Sequence, residues 1–113
     1  MGAAAEVRAN AYAPYSEFHV GAAVLAGGRI FTGVNVENAS YPLGMCAERN
    51  ALGRAVAEGA RPGDVEAVAV TASPCGGCRQ WLHEFRVDRL VFPLGGELVV
   101  RRPDEVLPDS FEL

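Results

Sequence analysis

Cys46-Ala47-Glu48-Arg49 and Ser73-Pro74-Cys75-Gly76-Gly77-Cys78-Arg79 decide how this chain is read. Each stretch stands where a loop gives way to a run of helical periodicity. Cys75 and Cys78, three apart at a helix start, share a face. A third cysteine opening a second helix makes three thiol ligands for one zinc ion. Three protein ligands leave the fourth tetrahedral position open to water, the arrangement of catalytic rather than structural zinc. Two helix N-termini aimed at one point also favour the thiolate form. Glu48, two residues after the first ligand, is a carboxylate placed to move protons.

The periodicity around these stretches gives the fold. Residues 46–58 carry Ala47, Ala51, Leu52, Ala55 and Val56 at helical spacing, with Gly59 as a stop. Residues 65–72 form a nearly all-apolar run, a strand buried on both sides. Pro74 opens the next helix, to about residue 85. On the N-terminal side, 3–12 read as a short helix stopped by Pro14. Residues 19–26 and 29–36 read as a hairpin turned by Gly27-Gly28, and 37–45 as a loop. On the C-terminal side, 89–94 and 97–101 are strands joined by Gly95-Gly96, and 104–107 add a helical turn. Two strands joined by two glycines are antiparallel neighbours, because a parallel pair needs a long crossover. The order α-β-β-α-β-α-β-β predicts an α/β fold: one mixed five-stranded sheet, its last two strands antiparallel, with helices packed on its faces.

With 113 residues, half of them hydrophobic, the chain suits one domain over 1–113 and is too short for two. A formal net charge of −4 and scattered basic residues argue against a nucleic-acid polymer as partner. A small uncharged substrate fits better. Three cysteines would leave one over from a disulfide framework, so a reduced, cytoplasmic setting is expected. The N-terminus lacks the pattern of a signal peptide, and no stretch has the length of a membrane span.

Each site residue has a plainer alternative. Glu48 could be an ordinary first-turn glutamate that favours the helix dipole. Arg49 and Arg79 could donate to the cysteine sulfurs and offset the excess negative charge of three thiolates on zinc, or could face solvent. A closed structural zinc site would need a fourth ligand. His83 lies about 500° around a helix from Cys78, off the ligand face, and His19 sits in an alternating strand.

The chain resembles the small, three-cysteine cytidine deaminases of homotetrameric type. The resemblance runs through Ala13-Pro-Tyr-Ser-Glu-Phe-His-Val-Gly-Ala-Ala23, Gly33-Val-Asn-Val-Glu-Asn-Ala-Ser-Tyr41, Cys46-Ala-Glu-Arg-Asn-Ala51, Ser73-Pro-Cys-Gly-Gly-Cys-Arg-Gln80 and Leu107-Pro-Asp-Ser-Phe111. It implies a three-layer fold and hydrolytic deamination of cytidine and deoxycytidine to the uridine nucleosides in pyrimidine salvage, with one zinc per subunit and Glu48 as proton shuttle. It also implies that Asn35 and Glu37 bond the ribose, that Phe18 packs on the pyrimidine, that backbone near Ala47 meets the pyrimidine edge, and that Phe111 reaches a neighbouring subunit's pocket. Strand-end solvation (Asn35, Glu37), plain core (Phe18) and a tail anchor on its own subunit (Phe111) are the alternatives. Relative to the resembling enzymes, the stretch before Cys75 is shorter and the N-terminal helix truncated.

The nearest rival is a blasticidin-S-type antibiotic deaminase, which Gly28-Arg-Ile-Phe-Thr-Gly-Val-Asn-Val36 also resembles; Glu37 favours the plain nucleoside. A polynucleotide deaminase would carry a longer element where Gly95-Gly96 stands. A non-catalytic zinc module would have no need of Glu48.

Overall fold

Gly27 and Gly28 take positive φ (58° and 74°), as do Gly95 and Gly96 (61° and 84°), the backbone that a two-residue hairpin demands. In the computed structural model, which describes residues 1–112, they turn two antiparallel hairpins: β1 (Gly21–Ala26) with β2 (Arg29–Val34), and β4 (Arg89–Leu94) with β5 (Glu97–Arg101). Between them lies β3 (Val65–Val70), antiparallel to β1 and parallel to β4, so the sheet order is β2-β1-β3-β4-β5. The helix α3 (Gly76–Glu84) makes the crossover that the parallel pair requires.

Side chains alternate across the sheet. Ala22, Val24 and Ala26 of β1, Val68 and Val70 of β3, and Leu90 and Phe92 of β4 point to one face. There they pack against Ala47, Ala51, Leu52 and Ala55 of α2 (Ala47–Ala57) and Leu82 of α3. Ala23 and Ala69 point to the other face and meet Ala4 of α1 (Gly2–Val7). The result is three layers, with a four-residue α4 (Pro103–Val106) following β5.

Two backbone contacts are tight enough to need glycine. A Cβ on Gly21 would collide with the Ala4 carbonyl oxygen of α1; one on Gly33 would collide with Ala51 N and come within 2.6 Å of Ala47 O in α2. Gly33 thus sets how closely the helix that follows Cys46 lies on the sheet.

The observed elements are shorter than the sequence pattern suggests at several ends. The N-terminal helix stops at Val7 and continues as a 3₁₀ turn over Arg8–Asn10. His19 and Val20 lie outside β1, because the Asn35 side chain takes the Val20 N–H (2.8 Å). Residues 35 and 36 leave β2; Val36 instead bridges Tyr12 and Met45. The loop of residues 37–45 contains a 3₁₀ turn over Tyr41–Leu43. Among the described residues no helix is long and apolar enough to cross a membrane.

Candidate active site

Cys46 is the N-cap of α2 and Cys75 the N-cap of α3. Both have extended backbone, which projects their thiols ahead of the first helical turn. The Cys75 sulfur caps its helix by accepting from Cys78 N at 3.5 Å. Cys78, one turn in, is fully buried. The three sulfurs lie within 4.8 Å of one another, and those of Cys46 and Cys75 are 3.8 Å apart. A tetrahedral zinc with bonds of about 2.3 Å to sulfur needs thiolates about 3.8 Å apart. The donor set and spacing therefore fit one zinc ion. Neither histidine joins: the ring of His19 is within 3.2 Å of Glu17 O, and His83 faces Ser110 and Glu112.

The electrostatics suit a cation. The Cys46 thiol is pushed down to about 5, chiefly by a hydrogen bond shared with Cys78, with Arg49 and Cys75 adding to it against the opposing effect of burial. The same hydrogen bond, with burial and the nearby Glu48 and Cys46 charges, pushes the Cys78 thiol up. The sulfurs thus compete for protons that a divalent cation would displace.

Arg49 lies three residues after Cys46, on the same helix face, and its Nη2 donates to the Cys46 sulfur at 3.4 Å. That bond is the main reason its guanidinium is held protonated even more firmly than usual. Its Nε is buried without a partner among the described residues. Arg49→Gln is expected to weaken zinc binding about 10- to 100-fold in a chelator competition while leaving the fold intact.

Arg79 corrects the expectation of a sulfur contact. Its Nε donates to Pro74 O (2.9 Å), Nη1 to Val106 O (3.0 Å) and Nη2 to Ser73 Oγ (3.2 Å). Being one residue past Cys78, it is turned about 100° from that ligand. It braces the Ser73–Pro74 loop against α4 instead.

Glu48 stands in the first turn of α2 and is only 3 % exposed; it is the one buried charged residue among those described. Burial, and then the Cys46 thiolate, push its carboxyl above the ordinary carboxylate range. It borders a cavity of about 290 Å³ together with Cys46, Ala47, Cys75, Phe18, Asn35 and Glu37. So the residues singled out in two distant loops and two helix starts converge on one chamber. Phe18 is no core residue: it is 61 % exposed and lines the chamber.

Asn35 and Glu37 shape that rim. Asn35 Oδ1 accepts from Val20 N, and its Nδ2 donates to Phe18 O at 2.9 Å. Glu37 Oε1 accepts from Tyr15 N (3.0 Å) and Ser16 N (3.1 Å), while Oε2 accepts from the Ser16 hydroxyl. These bonds, led by the Ser16 hydroxyl, hold the Glu37 carboxyl below its ordinary range. Ser16 Oγ in turn accepts from Phe18 N at 3.1 Å. The network fixes the segment that carries Phe18. Each amide and carboxylate retains capacity for a further hydrogen bond.

Two contributors lie outside the residues expected from sequence. Ser16 stands in the Ala13–Ala23 segment without a reaction role to mark it. Asn50 Nδ2 donates to Val34 O at 2.7 Å, tying α2 to the end of β2. A polar residue directly after Arg49, on a helix with an apolar face, was the available signal.

A three-thiol metal centre at two helix starts, with a buried carboxylate beside it in a small chamber after a central strand, defines a zinc-dependent hydrolytic enzyme. Residues 1–94 match the family model described as the cytidine and deoxycytidylate deaminase zinc-binding region. The cytidine deaminase of Halalkalibacterium halodurans is 45% identical over 118 aligned positions, covering 96% of this chain and 88% of that protein. The crystal structure of cytidine deaminase from Burkholderia pseudomallei superposes with a TM-score of 0.89 at 45% identity, covering 97% of this chain and 94% of that one. That of the Mycobacterium tuberculosis enzyme gives 0.84 at 40% identity, covering 99% and 94%. The chain belongs to the cytidine deaminase family.

Proposed function

We propose that this protein hydrolyses cytidine and deoxycytidine to uridine and deoxyuridine, releasing ammonia, as a single domain acting in cytoplasmic pyrimidine salvage. The observation that carries this reading is the buried Glu48 carboxylate in the same chamber as Cys46 and Cys75, two members of the three-sulfur cluster that Cys78 completes. Cys46, Cys75 and Cys78 hold the zinc, which when bound supplies a Lewis acid that makes water nucleophilic near neutral pH. Glu48 takes one proton from the attacking water and places it on N3 of the pyrimidine. It then takes the second from the new C4 hydroxyl and delivers it to the amine, which leaves as ammonia as the C4–N bond breaks and the C4 carbonyl forms. Phe18 offers the base an apolar face. Asn35 and Glu37 use their remaining hydrogen-bonding capacity on the ribose hydroxyls, and backbone at Ala47 meets the pyrimidine edge. Arg49 offsets the surplus negative charge of three thiolates.

The working form is a homotetramer. Tyr15, Tyr41 and Leu43, and separately Phe111 on the C-terminal arm, are all more than 60 % exposed, more large apolar surface than a lone subunit needs. Phe111 enters the pocket of a neighbouring copy. Cytosine nucleosides are favoured over blasticidin S, in keeping with relatives that are themselves cytidine deaminases.

The test is product chromatography with cytidine, deoxycytidine, free cytosine and blasticidin S, with zinc quantified on the same sample. Uridine and deoxyuridine, with no uracil from cytosine, are expected. A zinc-replete sample that turns over neither nucleoside would overturn the reading.

A further inference from the structure

Residues 110–112 lie along α3, the helix that carries Cys78 and is capped by Cys75. Three polar contacts, two of them sharing one ring nitrogen of His83, bracket one residue. His83 Nε2 is 2.8 Å from Ser110 Oγ, Gln80 Nε2 donates to Phe111 O at 3.0 Å, and His83 Nε2 is also 2.9 Å from Glu112 Oε1. Upstream, Arg79 secures the Val106 carbonyl. The chain is thus held just before, at and just after position 111, which removes most of the freedom that would let its side chain change direction. Yet Phe111 is 68 % exposed, and it is not among the residues around the Cys46–Glu48 chamber of its own chain. An arm fixed in this way, with its one aromatic ring left uncovered, is arranged for contact with something other than its own subunit.

The same chain offers a seat for such a ring. A groove of about 650 Å³ next to Cys46 and Arg49 is lined by Tyr15, Tyr41 and Met45. Asn35, Glu37 and Arg49 also border it, and Tyr41, 91 % exposed, leaves its aromatic surface uncovered by its own chain.

We infer that His83 is a positioning residue: by holding Ser110 and Glu112 it directs the Phe111 ring into the nucleoside pocket of a second copy of this chain. The inference rests on the reading above that Phe111 enters a neighbour's pocket. Its consequence is that α3 serves two sites, supplying Cys75 and Cys78 to its own and, through His83, an aromatic wall to the next. Losing the tie leaves the ring free to sample other directions. A fall of its correctly placed fraction to about one fifth raises KM about fivefold.

The test measures kcat and KM for cytidine, zinc content and oligomer mass in His83→Ala, His83→Gln, Phe111→Ala and the double variant His83→Ala/Phe111→Ala. His83→Ala is expected to raise KM about fivefold with kcat within about twofold, zinc and oligomer mass unchanged. His83→Gln, whose amide can still donate to Glu112, should recover most of the loss. The double variant should match Phe111→Ala alone, because both changes remove one and the same contact. Should His83→Ala fold poorly, Glu112→Ala removes one of the same ties at a side chain 73 % exposed, and a rise in KM in the same direction is expected. A raised KM in Phe111→Ala with an unchanged KM in His83→Ala and Glu112→Ala would overturn the positioning role alone. An additive effect in the double variant would do the same. An unchanged KM in Phe111→Ala would remove the reading of Phe111 itself, and this inference with it.

Discussion

Glu48→Gln is expected to lower turnover of cytidine by about 10²- to 10⁴-fold while leaving zinc content and fold unchanged. Energetics separate this outcome from that of an ordinary first-turn glutamate. A carboxylate near a helix N-terminus contributes about 0.3–1 kcal/mol when exposed. Taking a charged carboxylate out of water costs several kcal/mol, and Glu48 is 3 % exposed. The nearby Cys46 thiolate repels its charge as well. A helix-dipole role would be served equally well on the solvent face of the same turn, so burial here costs stability that only a reaction needing a carboxyl recovers. Glutamine keeps the shape and removes the charge. The melting temperature of Glu48→Gln is therefore expected to stay level or to rise by a few degrees. Turnover above a tenth of wild type, in protein with a full complement of zinc, would remove Glu48 from the chemistry.

The parts of the fold legible in sequence were those with a local cause. Gly27-Gly28 and Gly95-Gly96 announce their hairpins because few other residue pairs accept two successive positive φ values. The continuous apolar run of β3 reflects burial against helices on both faces, with Val68 and Val70 to one side and Ala69 to the other. The element ends were set from a distance. Nothing local stops the N-terminal helix at Val7; the chain must extend so that Tyr12 can bridge Val36. Val20 has a strand-like side chain, but its N–H is taken by Asn35 from the loop beyond β2.

The candidate site divides along the same line. Spacing paired Cys75 with Cys78, one helical turn apart; Cys46 was added by its resemblance to a three-ligand zinc pattern, and the fold brings it there because the helix it precedes packs on the same sheet face. Arg49 was legible for the same reason: three residues separate it from the sulfur it touches. Arg79 has equally suggestive spacing, yet its donors go to carbonyls of Pro74 and Val106 and to the Ser73 hydroxyl, and only the assembled fold brings Val106 there. The bonds of Glu37 to Ser16 and of Asn35 to Phe18 were likewise invisible, since they depend on two loops meeting across the open end of β2.

The second large effect belongs to a residue with no functional group. Gly33→Ala is expected to destabilise the protein by about 3 kcal/mol and to cost it zinc. Its Cβ would press on the backbone of α2, with Ala47 O 2.6 Å away and Ala51 N closer still. Neither atom belongs to a side chain that can rotate aside, so α2 must lift from β2 or the strand must bend. Either movement shifts the first turn of α2, which bears Glu48 and follows directly from Cys46, relative to Cys75 and Cys78 on α3. Zinc bonding tolerates shifts of only about 0.2 Å, whereas restoring ordinary contact at Ala47 O needs roughly 1 Å. Gly53 is the control on the same helix. It is exposed, and an added methyl there would meet nothing within 4 Å. Gly53→Ala should therefore stabilise by about 0.5–1 kcal/mol through helix propensity. Measuring thermal midpoint and zinc stoichiometry for both variants separates a general sensitivity of α2 from a specific one at its contact with the sheet. Full zinc occupancy in Gly33→Ala would show that the metal centre does not depend on how closely α2 lies on β2.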